Sequence, residues 1–257
     1  MRPPSDRGPA AGAAPDGAGA APTLRLEDVV AGYYPEQVVL HGVSLTAPAG
    51  ALTAVLGPNG SGKSTALRVL YGLLPPRRGR VWLDGREVTT VPAHARVALG
   101  MALLPQGRAA FPGLTVHENL ELGAWALPPA RRRDAVEAAY ARYPLLRDLR
   151  TRPAGSLSGG QQRLVEIARM MIPDPRVLLL DEPSAGLAPA VAARVYEEIA
   201  RLKAEGRTIV LVDQNVRTAV ALADRIYTLE FGRNQLEGDR EAFEGRLGAV
   251  VRGWLRV

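Results

Sequence analysis

The chain has 257 residues, 47% of them apolar, which suits one large domain or one domain with a small insert. No run approaches the roughly 18 uninterrupted apolar residues of a membrane span, so the expected protein is soluble or reaches a membrane only through a partner. The absence of cysteine excludes disulfides and thiolate metal sites, and the net charge of +6 reads as a solvated, arginine-rich surface.

Residues 1–22 are mostly Ala, Gly and Pro and cannot bury enough surface to offset their ordering entropy, so they read as a disordered extension to a domain over 23–257. Leu24 to Val30 and Val43 to Ala47 read as strands. Ala51 to Leu56 is a third, apolar enough to be buried on both faces. A glycine-rich loop follows, then a helix from Lys63 to Tyr71, stopped before Pro75-Pro76. Arg80 to Leu83 is a short strand with Asp84-Gly85 as its turn, and Gly100 to Leu104 is another buried strand.

From Thr115 to Leu149 the reading is helical. Thr115 with Glu118 makes a capping box, and Ala130 to Tyr143 has helical apolar spacing, ended by Pro144. Arg131-Arg132-Arg133 opens that helix without the interleaved aromatics of a single-strand binder, so no nucleic-acid partner is expected. Gln161 to Met171, Ala190 to Ala204 and Val216 to Ala223 read as helices. Val177 to Leu180, Thr208 to Val212 and Arg225 to Leu229 read as strands. The alternation implies a mostly parallel α/β sheet, with a helical insert at about 107–165.

Residues Gly57-Pro58-Asn59-Gly60-Ser61-Gly62-Lys63-Ser64 match G-x-x-x-x-G-K-[ST] between a buried strand and a helix. The glycines let backbone wrap a phosphate, and the helix N-terminus presents amides and a favourable dipole to it. Lys63 should reach the outer phosphates of ATP and Ser64 should bind magnesium; Thr65 is counted with the loop. Only Lys63 and Lys203 among 32 basic residues are lysine, which points to a compact ammonium being required at position 63.

The strand Val177 to Leu180 ends in Asp181-Glu182. Asp181 would hold magnesium, and Glu182 would stand further out, free to polarise the attacking water. Gln106, just past another strand, is placed to touch magnesium or that water through its amide oxygen. Leu157-Ser158-Gly159-Gly160-Gln161 forms a second anion site at a helix start, about 20 residues before the acidic pair. Two phosphate-grasping loops and one nucleotide suggest that the second loop grips the nucleotide of another subunit.

In order and spacing these segments resemble the ATP-binding cassette (ABC) ATPases over residues 23–257. The matches are the Walker A loop at 57–64, Gln106, the signature Leu157 to Gln161, and the Walker B strand Val177 to Asp181 with Glu182. The resemblance implies a P-loop NTPase cassette of α/β class: a RecA-like, mostly parallel sheet core, an antiparallel β portion and a helical subdomain. It also implies Mg2+ with ATP, a head-to-tail pair of ATPase subunits, and an aromatic stacking on adenine. Tyr34 is the better match for that aromatic, with Tyr33 the alternative.

Two positions depart from the common pattern. Gln214 stands where most members have histidine; its amide can donate to the γ-phosphate but cannot act as an imidazolium. Ala188 stands where many have aspartate. With Pro105-Gln106-Gly107-Arg108, Phe111-Pro112, Leu114-Thr115-Val116, Gly186-Leu187-Ala188-Pro189, Gln214-Asn215 and the ending Val251 to Leu255, the chain resembles the ATPases of branched-chain amino acid importers. Urea and short-chain amide importer ATPases share much of this pattern. Lipopolysaccharide-type exporter ATPases fit it less well, as do ABC ATPases acting on ribosomes or DNA. The resemblance implies membrane permease subunits as partners, a second ATPase (a paralogue or another copy), an extracytoplasmic solute-binding protein acting indirectly, and a place on the cytoplasmic face of the membrane.

Overall fold

The computed structural model describes residues 23–107 and 109–244. The proposed tail at 1–22, Arg108 and the ending Val251 to Leu255 lie outside the described residues.

In chain order the elements are β1 (Leu24–Ala31), β2 (Leu40–Ala47), β3 (Leu52–Leu56), α1 (Lys63–Tyr71), β4 (Arg78–Leu83), β5 (Arg86–Glu87), α2 (Ala93–Ala98) and β6 (Met101–Leu104). Helices α3 (Val116–Ala124), α4 (Pro129–Arg142) and α5 (Pro144–Asp148) follow, then α6 (Gly159–Met171) and β7 (Val177–Asp181). The chain continues through α7 (Pro189–Ala204), β8 (Thr208–Val212), α8 (Val216–Leu222), β9 (Arg225–Glu230), β10 (Arg233–Asp239) and α9 (Arg240–Glu244).

Two sheets result. One is antiparallel in the order β2-β1-β4-β5. The other runs β10-β9-β3-β8-β7-β6, parallel throughout except for the antiparallel edge strand β10. Parallel pairing puts the carboxyl ends of β3, β6, β7 and β8 on one side, where ligands of open α/β sheets bind.

Every residue of β3, β7 and β8 is buried, yet the period of two still sorts their side chains. Val177, Leu179, Val210 and Val212 pack on the face shared with α1 and the antiparallel sheet. Leu178, Leu180, Ile209 and Leu211 pack on the other face, in one continuous cluster with Leu120, Tyr140 and Leu146 of the inserted helices. By the same alternation Asp181 falls on the α1 face.

Helix α1 is held at its far end by buried Arg96, which donates to Val69 O and Leu70 O at its C-terminus and to Val88 O and Val91 O beside it. No carboxylate among the described residues pairs with this guanidinium, and burial lowers its pKa to about 10. The carbonyl dipoles at the end of α1 are its counter-charge.

Four elements depart from the sequence reading. The edge strand β10 lacks apolar alternation and is mostly exposed. Strand β5 and helices α2 and α9 have two, six and five residues, too short for a period to register. Pro144 does end α4, as expected, but it also occupies the first turn of α5, where a missing N–H costs nothing.

Candidate active site

The loop at 57–64 runs from the end of β3 into α1, and close approach explains two of its three glycines, Gly57 and Gly62. A Cβ on Gly57 would stand 2.1 Å from Leu229 O, and one on Gly62 would stand 2.7 Å from Leu40 Cδ2 at a φ of +100°. Gly62 is also the N-cap of α1, which therefore has no side-chain cap for its first amides. Ser61 Oγ is buried inside the loop without a hydrogen-bond partner. Lys63 curls back, its ammonium donating to Gly57 O and Pro58 O, each at 2.9 Å. Burial lowers its pKa; Glu182, Asp181 and Asp213 act in the opposite direction.

Asp181 closes β7 on the α1 face and accepts a hydrogen bond from Ser64 Oγ at 2.9 Å. Burial raises its pKa, with the Ser64 bond opposing. At Glu182 the backbone turns into the left-handed region, φ +47°, an uncommon conformation for a residue with a side chain. Glu182 N–H donates to Val212 O at 2.9 Å.

The expectation that Glu182 stands free is corrected here. One of its oxygens accepts from Gln106 Nε2 and the other from Gln214 Nε2, each at 2.7 Å. Gln106 and Gln214 thus each direct an amide nitrogen at this carboxylate. A carboxylate accepts at both oxygens, and a neutral amide satisfies it without adding charge.

Upstream, the two tyrosines separate. The Tyr33 hydroxyl lies 3.3 Å from Thr65 Oγ1 and accepts from Arg68, whose guanidinium covers the ring. Arg77 donates to the backbone carbonyls of Tyr34, Pro35 and Gln37. Tyr34 is 68% exposed and Tyr33 42%.

Residues 158–161 do not join this group. Ser158 and Gln161 close a capping box on each other at the start of α6. Gly160 is required by packing, since a Cβ there would lie 2.4 Å from Val191 Cγ1 of α7. Further along α6, buried Glu166 accepts from Ala109 N and Ala110 N and pairs with Arg163, which donates to Gly107 O. The helix that begins with Ser158 thus holds the segment that follows Gln106. The sequence reading missed this clamp, because its contacts join residues 57 and 56 apart.

Asp181, Glu182 and Asp213 are all buried near the single lysine at 63. That excess of negative charge, the Ser64–Asp181 pair, the uncapped amides of α1 and the unpartnered Ser61 hydroxyl fit a nucleoside triphosphate with a divalent cation.

The family model described as "ABC transporter" matches residues 40–185. A probable branched-chain amino acid transport ATP-binding protein, LivF, of Archaeoglobus fulgidus is 40% identical over 89% of this chain and 99% of its own length. A lipopolysaccharide export system ATP-binding protein, LptB, of Acidithiobacillus ferridurans is 36% identical over 78% of this chain and 83% of its own. The crystal structure of the ADP conformation of an ATP-binding cassette from an ABC transporter superposes with a TM-score of 0.80 at 31% identity, covering 92% of this chain and 99% of that one. With a phosphate loop, a strand ending in two carboxylates and a signature turn on one scaffold, the chain belongs to the ABC transporter ATP-binding family and is an ATPase of that family.

Proposed function

We propose that this chain drives an importer of branched-chain amino acids from the cytoplasmic face of the membrane. Its partners are permease subunits and a second ATPase subunit, with an extracytoplasmic solute-binding protein delivering solute to the permease. The solute reading is supported by the 40% identity to LivF, and the hydrolytic reading by Glu182, a buried carboxylate at the carboxyl end of β7, one residue beyond the Ser64–Asp181 pair. In this reading the loop amides and Lys63 bind the ATP phosphates, and Tyr34 stacks on adenine. Ser64 and Asp181, with Gln106 once it leaves Glu182, hold Mg2+, which neutralises phosphate charge. Glu182 takes the proton of the attacking water, and Gln214 positions that carboxylate. Residues 158–161 face the nucleotide of the second subunit. No helix among the described residues is long and apolar enough to cross a membrane, so attachment runs through the permease.

Glu182→Gln is expected to bind ATP normally and hydrolyse it about 10²- to 10⁴-fold more slowly. Full hydrolysis by that variant sinks the general-base role. The direction of transport has a second reading, export, favoured by the similarity to LptB. Cells lacking the chain should lose uptake of labelled leucine and regain it with the wild-type protein but not with Glu182→Gln. Undiminished uptake together with a lipopolysaccharide export defect would favour the exporter.

A further inference from the structure

Tyr196 of α7 is buried, 7% exposed, and its hydroxyl makes two hydrogen bonds. It donates to Asp213 Oδ2 at 2.8 Å and, its proton being used there, accepts from Ser184 Oγ at 2.6 Å. The other oxygen of Asp213 accepts from Asn215 N at 2.9 Å. That carboxylate therefore fixes the turn carrying Gln214, whose amide donates to Glu182. Because Ser184 lies two residues beyond Glu182, the contacts close a ring through Glu182, Ser184, Tyr196, Asp213 and Gln214.

A buried phenol needs partners, since a hydroxyl left without them costs about 1–3 kcal/mol. Phenylalanine would fill the same space with no polar atom to satisfy. Here one partner lies two residues beyond Glu182 and the other one residue before Gln214, and neither belongs to the apolar core. The ring also reaches the segment 184–188, which leads into α7 through Ala188, an N-cap residue with no side-chain cap.

We propose that Tyr196 is a positioning residue for ATP hydrolysis: its hydroxyl ties the segment after Glu182 to Asp213, and so sets where Gln214 holds the Glu182 carboxylate. The proposal rests on the reading of Glu182 as the general base. It gives a chain with alanine at 188 and glutamine at 214 a hydrogen-bonded link between those two segments that uses neither an aspartate at 188 nor a histidine at 214.

The test is a double-mutant cycle on the full-length chain, at concentrations where its ATPase rate is measurable. Tyr196→Phe keeps the aromatic volume and removes the hydroxyl. It is expected to lower kcat about tenfold while KM for ATP and binding of a non-hydrolysable ATP analogue stay within about twofold. Gln214→Ala is expected to slow hydrolysis by itself, and adding Tyr196→Phe to it to cost nothing further, because the hydroxyl acts through that amide. An unchanged kcat in Tyr196→Phe, a rise in KM matching the fall in kcat, or losses that multiply in the double variant each overturn the proposal. Glu182→Gln assayed alongside separates the two ideas: full hydrolysis there overturns the base, whereas a loss there with multiplying Tyr196 and Gln214 effects overturns only the ring. Should Tyr196→Phe fail to fold, Ser184→Ala removes the neighbouring bond outside the core and is read in the same cycle.

Discussion

Helices α1 and α6 both begin at glycine-containing turns, and their first amides have different fates. At α1 the N-cap is Gly62, which offers no side chain, and Lys63 bends back over the loop carbonyls. At α6 the N-cap is Ser158, whose hydroxyl and Gln161 partner already close a capping box. The first helix start is incomplete and gains from an anion. The second is complete within its own chain, so gripping a phosphate there means exchanging an existing hydrogen bond for a new one. ATP should therefore bind α1 in a single chain, while the turn at 158–161 contributes only when a second subunit presents a nucleotide.

Three substitutions probe this difference. Lys63→Ala should weaken ATP binding by about 10- to 100-fold, the equivalent of a lost charge-assisted hydrogen bond, measured by calorimetric titration of the single chain. Gly160→Ala should leave that affinity alone but destabilise the fold by about 1–3 kcal/mol, because the new methyl meets Val191 Cγ1; thermal unfolding reads it. Ser158→Ala should cost about 1 kcal/mol, a fall in Tm of about 2–4 °C, with ATP affinity of the single chain unchanged. If Ser158→Ala weakened nucleotide binding by the single chain as strongly as Lys63→Ala, the two helix starts would form one site and the distinction would fail.

The strands that carry this site were legible because they are buried on both faces and read as continuous apolar runs. Strand β10, Arg233–Asp239, was not legible, because an exposed edge strand needs no apolar alternation. Contiguous motifs exposed the phosphate loop, the acidic pair and the turn at 158–161. The orientation of Gln106 and Gln214 toward Glu182 was hidden, since an amide presents an oxygen or a nitrogen according to what tertiary packing places beside it. Tyr196 was hidden for the same reason. In sequence it is one more apolar-spaced residue of a helix, and only the packing of α7 against Ser184 and Asp213 gives its hydroxyl partners.

The scarcity of lysine has a practical consequence for chemical labelling. The sequence holds two side-chain amines. Lys203 of α7 is bound to Leu222 O and Asp224 between α8 and β9, and Lys63 lies inside the phosphate loop with its pKa lowered by burial. Acylation of this chain thus reports on very few positions, and Lys63, 5% exposed with its ammonium held by two loop carbonyls, should react only when the loop opens, so an adduct there would gauge that opening.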